Sequence, residues 1–222
     1  MGLVKMSIRF VTVSEMSLPA WMESYAQRIF GIPTHMTVRE RLMLMQTALE
    51  LPEAFTVVEI GSYLGASTAF LGAAAVQRGG TVHAVDTWMN DAMGAEGSWD
   101  TWKEFRENTE LFAGYVVPHR GTSVDVRREL DGIPCDMLFI DGDHSYDAVV
   151  TDLRTWLPAL RPGGVLAMHD FDAPTVRQAY EDLVGPNCIQ MPQTFDRLMI
   201  CRPQPLSAMT MNAEIRPRSN IA

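Results

Sequence analysis

The sequence predicts an α/β fold: a doubly wound, mostly parallel sheet of seven strands, with helices on both faces and an antiparallel last strand. Short apolar, β-branched runs alternate with stretches of helical spacing, which predicts parallel strands joined by helices. Five of these runs end on polar residues, as strands beside a ligand site do. A final pair of apolar runs joined by a polar turn predicts the antiparallel closing pair. The predicted strands are 56–60, 81–86, 115–117, 135–140, 165–168, 188–191 and 198–201.

The composition is that of one globular domain with flanking segments. The chain has 222 residues, of which 47% are hydrophobic and 20% charged, so it is long enough to bury a sizeable core. The net charge of -9 argues against a nucleic-acid partner held through its phosphates. No apolar run approaches the length needed to span a membrane. The three cysteines form no CxxC pair, and free thiols in a reducing cytoplasm are the expectation.

Residues 1–54 precede the first core strand and lie outside the repeating pattern of strands and helices. A short run at 8–13 is interpreted as a strand or arm, and a helix is predicted over 18–30. Thr37 and Glu40 have the spacing of a capping box, which predicts a second helix that ends before Pro52. We interpret these helices as a cover over a ligand site or as a dimer surface; simple packing against the sheet is the alternative.

The segment that follows the first strand is interpreted as a ligand-binding turn. After 56–60 the chain breaks at Gly61 and restarts as an Ala-rich helix after Gly65. A strand, a glycine turn and a helix N-terminus present backbone N–H groups to a nucleotide-like ligand. Tyr63 and Ala66 interrupt the dinucleotide glycine pattern, so a bound pyrophosphate is disfavoured. Glu59 closes the strand, and its carboxylate suits an ammonium or hydroxyl groups better than a phosphate.

The later strands also end on polar residues. Asp86 ends the second strand about 25 residues past Gly61, a spacing that suits an acid reaching the ribose hydroxyls of a nucleoside. A loop over 88–97 and a polar, tryptophan-containing helix follow, and a turn is predicted at 161–164. Because the carboxyl ends of parallel strands share one edge of the sheet, these polar residues are expected to meet there. They are Glu59, Gly61, Asp86, Ser123, Asp141, Asp143, His144, His169 and Asp170.

Four motifs in order resemble the class I S-adenosylmethionine-dependent methyltransferases, over roughly residues 55–200. They are E-I-G-S-Y-L-G at 59–65, V-D at 85–86, F-I-D-G-D-H at 139–144 and L-R-P-G-G at 160–164. Within that superfamily, I-D-G-D-H-S-Y at 140–146 and M-H-D at 168–170 are similar to the macrolide-sugar O-methyltransferases and the cephalosporin-hydroxylase-like proteins. The resemblance implies a Rossmann-like sheet and a cofactor-binding core over 55–202. The residues on either side are interpreted as an arm with lid helices (1–54) and a tail (203–222). The tail is interpreted as a contact with a partner subunit in a homodimer.

The resemblance also implies where S-adenosylmethionine would bind. The glycine turn and Glu59 would hold the methionine part, and Asp86 would take both ribose hydroxyls. Trp88 would lie near the ribose or adenine, Ser123 near the adenine, and Asp141 would face the sulfonium and the acceptor. Two simpler interpretations stay open: Asp86 is an ordinary turn residue, and the tryptophans belong to the core. The residues expected at the cofactor are Glu59, Gly61, Ser62, Tyr63, Gly65, Ser67, Asp86, Thr87, Trp88, Ser123 and Asp141.

Metal-dependent relatives bind magnesium with an acid ending the fourth strand and an acidic pair ending the fifth. Asp141 fits the first position and Asp170 the last, but His169 replaces the acid between them. Magnesium prefers oxygen ligands, so this departure leaves Mg²⁺, a softer ion at Asp141, His169 and Asp170, and no metal all open. His144 stands where the macrolide-sugar relatives have their general base, with a helix cap as the alternative interpretation.

Together these features predict an O-methyltransferase that acts on a hydroxyl of a small molecule, a sugar or natural product. His144 and Asp141 would be its catalytic residues, since histidine has a pKa close to neutral pH. A regulatory protein that binds S-adenosylmethionine or another nucleoside without methyl transfer is the alternative. An NAD-dependent oxidoreductase is weakened by the interrupted glycine pattern.

Overall fold

The computed structural model describes residues 20–90, 97–189 and 191–204. The predicted arm at 8–13, the first residues of the helix predicted over 18–30, most of the 88–97 loop and the tail from residue 205 lie outside the described residues. Within the described ranges, no helix combines the length and the apolarity that crossing a membrane would require.

The predicted fold class is confirmed: the seven strands form one sheet in the order β3-β2-β1-β4-β5-β7-β6. The first five strands are parallel, and β7 runs antiparallel to both of its neighbours. The winding direction reverses between β1 and β4, which is where open α/β sheets bind ligands. The strands are β1 (Thr56–Ile60), β2 (Thr81–Asp86), β3 (Val116–Arg120), β4 (Cys135–Ile140), β5 (Leu160–Met168), β6 (Gln193–Phe195) and β7 (Leu198–Cys201).

Helices cover both faces of the sheet, and each face has its own hydrophobic core. One core contains buried residues of α1, α2, α3 and α4, and the other contains those of α5, α6 and α7. The first ten residues of α3 are all buried, because that helix lies between the sheet and α2. The helices are α1 (Glu23–Ile29), α2 (Val38–Leu49), α3 (Ala66–Arg78), α4 (Trp102–Thr109), α5 (Ser123–Glu129), α6 (Tyr146–Trp156) and α7 (Pro174–Leu183).

The capping box predicted for the second helix is present at the start of α2. The Thr37 hydroxyl accepts the backbone N–H of Glu40, and the Glu40 Oε2 accepts the backbone N–H of Thr37 at 2.7 Å. Both α1 and α2 pack against α3, which agrees with the packing interpretation of these helices. The segment between them contributes to the site described below.

Two local predictions were wrong. Residues 161–164 were predicted as a turn, but they lie within β5, where a shift in register against β4 accommodates Gly163 at a φ of +80°. Proline and glycine here mark a bulge in a strand, not its end. The first closing strand was predicted at 188–191 but is found at Gln193–Phe195, and Cys188 makes only an isolated bridge to Pro203.

Candidate active site

The turn after β1 depends on one glycine at the point where two strand ends come together. Gly61 has a φ of +84°, and its N–H donates to the Val85 carbonyl at 2.9 Å. A Cβ atom on Gly61 would lie 2.2 Å from the Asp141 carbonyl oxygen. Only glycine therefore lets the ends of β1 and β4 approach this closely. Gly65 faces the other way: a Cβ there would lie 2.7 Å from Thr109 of α4, so this glycine serves helix packing.

Asp86 holds the turn in place from the end of β2. Its Oδ2 accepts the backbone N–H groups of Ser62 at 2.7 Å and Tyr63 at 2.8 Å. Its Oδ1 accepts the N–H of Trp88 at 2.6 Å. Asp86 also lines the main cavity, so the carboxylate that orders the turn is open to a ligand as well.

Glu59 lies beneath the turn and not on its ligand side. Its side chain is completely buried, and the hydroxyls of Ser62 and Thr68 donate to Oε2. Its Oε1 is buried without a hydrogen-bond partner among the described residues. Burial outweighs the hydroxyl hydrogen bonds and raises the pKa of Glu59 to about 7. Its contacts support the turn, and it does not line the cavity.

A cavity of about 900 Å³ opens along the carboxyl ends of the parallel strands. That volume lies at the upper end of the range for small-molecule sites, about 300–1,000 Å³, and leaves room for a cofactor and a small acceptor. The predicted residues that line it are Gly61, Ser62, Tyr63, Ser67, Asp86, Thr87, Ser123, Asp141, His144, His169 and Asp170. The predicted residues outside its lining are Glu59, Gly65 and Trp88.

Trp88 lies in the hydrophobic core and not beside the cavity, contrary to the interpretation from motif order. It is fully buried, with its ring centroid 4.6 Å from those of Trp102 and Phe105. Its φ of +52° and its hydrogen bond to Asp86 describe a tight turn that points the ring away from the strand ends. The simpler interpretation of this tryptophan, as a core residue, describes what is observed.

Acids and histidines form a compact cluster at the end of β4 and β5. His144 Nε2 lies 2.9 Å from Asp170 Oδ2, and His169 Nδ1 lies 3.1 Å from both Asp170 Oδ2 and Asp141 Oδ1. The other nitrogen of His169 lies 3.3 Å from Glu40 Oε1, which comes from α2. Arg197, from the turn between β6 and β7, pairs with Asp170 Oδ1. The cluster therefore joins four separate parts of the chain: α2, the segments that follow β4 and β5, and the turn between β6 and β7.

The contacts in the cluster fix its charges. Burial disfavours a charged His169, but the three facing carboxylates outweigh it and raise the pKa of His169 to about 12. Burial likewise opposes ionisation of Glu40, yet His169 and two backbone N–H groups lower the pKa of Glu40 to about 2. The hydrogen bond to Asp170 raises the pKa of His144, and the two histidines hold the pKa of Asp170 well below its usual range despite burial.

Comparison with known proteins agrees with this geometry. A family model described as a methyltransferase domain matches residues 58–171, which is more than half of the chain. The chain belongs to this methyltransferase family. The resemblance predicted from the four motifs is thereby confirmed.

Solved O-methyltransferases have the same fold. TomG from Streptomyces achromogenes, involved in tomaymycin synthesis and solved in complex with S-adenosylmethionine, is 20% identical, with 85% of this chain and 91% of TomG covered and a TM-score of 0.59. The O-methyltransferase NovP is 18% identical, with coverage of 77% and 82% and a TM-score of 0.63. At these identities the likeness concerns the fold. The protein y4gI of Sinorhizobium fredii is 27% identical over 117 residues, which are 51% of this chain and 13% of y4gI.

The donor set at the strand ends does not fit magnesium. One atom each of Asp141, His144 and Asp170 lie within 4.8 Å of one another, close enough for one ion. His169, predicted as a ligand, is not in that group, and carboxylates face both of its nitrogens. Asp170 already has Arg197 on one oxygen and two histidines on the other. Magnesium prefers oxygen ligands, and His169 and Arg197 already offset two of the three negative charges of Glu40, Asp141 and Asp170.

Sequence reasoning missed three residues that shape the cavity and the cluster beside it. Arg197 lies in a hairpin turn without any motif, so nothing in the sequence marked it. Glu40 was recognised only as a capping-box residue, although its second oxygen serves the cluster. Asp152 of α6 is buried beside the cavity and accepts the Ser123 hydroxyl, and burial raises its pKa to about 6. Its only sequence signal was a charge on the inner face of a helix.

Proposed function

We propose that this methyltransferase moves the methyl group of S-adenosylmethionine to a hydroxyl of a small molecule, a sugar or another natural product. His144 would act as general base and Asp141 would face the reacting groups. The observation that carries the proposal is a single cavity with a turn-ordering carboxylate, Asp86, and a carboxylate-paired histidine, His144, both on its wall. The cofactor is supported by relatives of the same fold that were solved with S-adenosylmethionine or its product.

The cofactor end of the cavity would be the turn with Asp86. Two backbone N–H groups already hold the Asp86 carboxylate, so its orientation is fixed before a ribose arrives. A preorganised acceptor loses little freedom on binding, which favours affinity. Ser123 and Asp152 form the wall beside α5 and α6, where the adenine is expected.

The transfer would be an in-line displacement at the methyl carbon. The acceptor oxygen forms the new C–O bond, the C–S bond breaks with its electron pair passing to sulfur, and the hydroxyl proton goes to a base. Alignment of the two reactants accounts for several kcal/mol of the barrier in such reactions. When His144 Nε2–H donates to Asp170, the neutral ring has its lone pair on Nδ1 and can accept that proton. The wall that includes Arg197 and His35 would contact the acceptor.

Cofactor binding is tested by calorimetry with S-adenosylmethionine. Asp86→Ala should weaken binding by about 1.5–3 kcal/mol, the usual value of a hydrogen bond to a charged group. Asp131→Ala is the matched control, because that acid is 89% exposed and lies outside the cavity. Equal affinity in the parent and Asp86→Ala would contradict the assignment of the ribose site.

Methyl transfer is tested by mass spectrometry of candidate hydroxyl acceptors, where each transfer adds the mass of one CH₂ group. His144→Ala should slow this gain by about 100-fold or more without loss of cofactor affinity. His119→Ala is the control, since that histidine pairs with His83 away from the cavity. Binding of S-adenosylmethionine with no transfer to any sugar or phenolic acceptor would favour the regulatory alternative.

A further inference from the structure

The turn between β6 and β7 connects the N-terminal helices to the reaction site. The backbone N–H of Arg197 donates to Glu40 Oε1 at 2.7 Å, and its carbonyl accepts the N–H of Phe171 at 3.0 Å. Its guanidinium donates to Asp170 Oδ1 and to the His35 carbonyl. Arg197 therefore contacts four separate residues around the cavity with its main chain and side chain.

These contacts leave Asp170 with both carboxylate oxygens held. Arg197 takes Oδ1, while His144 and His169 take Oδ2 at 2.9 Å and 3.1 Å. By the resemblance, His169 stands where the metal-dependent relatives have an acid, and its Nδ1 lies 3.1 Å from the carboxylates of both Asp141 and Asp170. The basic side chains thus already contact the carboxylates of Asp141 and Asp170 that would be offered to a divalent ion.

We propose that Arg197 is a positioning residue that, together with His169, takes the place of a divalent metal ion: it fixes Asp170, Asp170 fixes the His144 ring, and methyl transfer proceeds without a metal. This inference rests on the proposed function. It adds to that function the group that orients the base and the absence of a metal requirement.

The chemistry needs no ion for its balance. The hydroxyl proton passes to His144, the positive charge of the sulfonium is lost as the C–S bond breaks, and Asp170 stays ionised throughout. What the base requires is a fixed ring orientation, and a carboxylate held on both oxygens provides it. If the Arg197 side chain were removed, Oδ1 of Asp170 would lose its partner, and only the two histidines on Oδ2 would orient the carboxylate.

The competing explanation is that Arg197 only fastens the turn to α2. Arg39 offers a matched control, because it fastens the same turn from the outside. Its Nη1 lies 3.1 Å from Asp196 Oδ1, and its guanidinium lies 5.7 Å from the centre of the Phe195 ring. Arg39 contributes nothing to the lining of the cavity.

The first experiment compares Arg197→Ala with Arg39→Ala. We expect kcat of Arg197→Ala to fall by about 10–100-fold, the usual effect of removing a group that orients a catalytic residue, while the KM for S-adenosylmethionine stays near the parental value. Added guanidinium should restore part of this kcat, because it can enter the space left beside Asp170. Arg39→Ala should keep the parental kcat and should not respond to guanidinium.

Two results would overturn the positioning role. One is a parental kcat in Arg197→Ala. The other is a loss of kcat that guanidinium does not restore and that Arg39→Ala shows as well. Thermal unfolding checks that each variant is folded. If Arg197→Ala does not fold, Arg197→Gln replaces it: that side chain keeps hydrogen-bonding groups without the charge. A lowered kcat with unchanged cofactor affinity supports the proposal, and a parental kcat refutes it.

The second experiment measures metal binding directly. Mn²⁺ is titrated into the parent with bound S-adenosylmethionine and followed by electron paramagnetic resonance, and activity is measured after exhaustive chelation. We expect no immobilised Mn²⁺ and undiminished activity. One immobilised ion per chain, or activity that is lost on chelation and restored by Mg²⁺, would overturn the inference while leaving the methyltransferase function intact. Failure of the parent to methylate any acceptor would instead overturn the proposed function, and the resonance result would still be informative.

Discussion

Replacing Glu59 by Gln tests whether the carboxyl beneath the glycine turn is neutral in the folded protein. Burial raises the pKa of Glu59 from 4.5 to about 7, so the folded state keeps a proton that the unfolded state has released. Between these two pH values the unfolded chain binds fewer protons, and the free energy of unfolding therefore falls as the pH rises. The contribution of protonated Glu59 to stability is fully present below pH 4.5 and is lost as the pH rises through about 7.

The size of the effect follows from the shift. A change of one pKa unit corresponds to about 1.4 kcal/mol, so the Glu59 carboxyl accounts for about 3 kcal/mol of pH-dependent stability. No reduction for solvent screening applies, because the side chain is fully buried. Glu59→Gln has no proton to release. The free energy of unfolding of Glu59→Gln, relative to that of the parent, should therefore increase by about 3 kcal/mol as the pH rises from 4.5 to above 7.

The assay is urea unfolding at pH 5 and pH 8, followed by the fluorescence of the five tryptophans. All other titrating groups contribute equally to both proteins, so the difference between the two pH profiles isolates Glu59. Glu53→Gln is the control, since Glu53 is 83% exposed and only 3.8 Å from Arg78 in a surface pair. Its profile should match that of the parent. Identical profiles for Glu59→Gln and the parent would mean that Glu59 ionises normally in the folded protein, and the argument from burial would be wrong.

Three further results are expected. Gly61→Ala should abolish stable folding of the turn, because its Cβ would clash with the Asp141 backbone. Gly79 also has a positive φ but has open space around it, so Gly79→Ala should lower the free energy of unfolding by only about 1–2 kcal/mol. Thermal unfolding of both variants tests this difference. Cys188 should react with iodoacetamide at neutral pH, because hydrogen bonds from Cys201 and Tyr180 lower the pKa of Cys188 to about 6 despite burial. An equal reaction rate in Tyr180→Phe would contradict the contribution of Tyr180. The midpoint of the acidic side of the kcat–pH profile should lie above pH 6.5, because Asp170 raises the pKa of His144. In Asp170→Asn this midpoint should move to lower pH. An unchanged midpoint would exclude an effect of Asp170 on His144.

The sheet and most of the cavity wall were predictable because local rules govern them. Buried strands read as apolar, β-branched runs, and the carboxyl ends of parallel strands must meet at one edge. Asp86, Asp141 and His144 therefore reached the cavity wall as soon as the strands were assigned correctly. The same argument placed Gly61 at this edge of the sheet. A Cβ atom at Gly61 would clash with Asp141, because the ends of β1 and β4 lie close together there.

Trp88, which was misplaced, and Arg197, which was missed, depend on information that no local sequence pattern carries. Trp88 follows a strand end, but a left-handed φ turns its ring into the core. Arg197 reaches Asp170 from 27 residues away through the pairing of β6 with β7, and its own neighbourhood contains only a polar turn. Such contacts are fixed by tertiary packing, which the spacing of residues along the chain does not encode.

His169 explains why α2, which lies outside the repeating pattern, reaches the cluster of acids and histidines. The Nδ1 of the buried His169 faces Asp141 and Asp170, so its Nε2 points away from both and makes an ion-pair contact but no hydrogen bond among the described residues. Glu40 of α2 lies 3.3 Å from that nitrogen and accepts the Arg197 N–H with the same oxygen. A core without α2 would lose this carboxylate, which contacts both His169 and the main chain of Arg197. The histidine at this strand end thus brings α2 into contact with the cluster that contains His144.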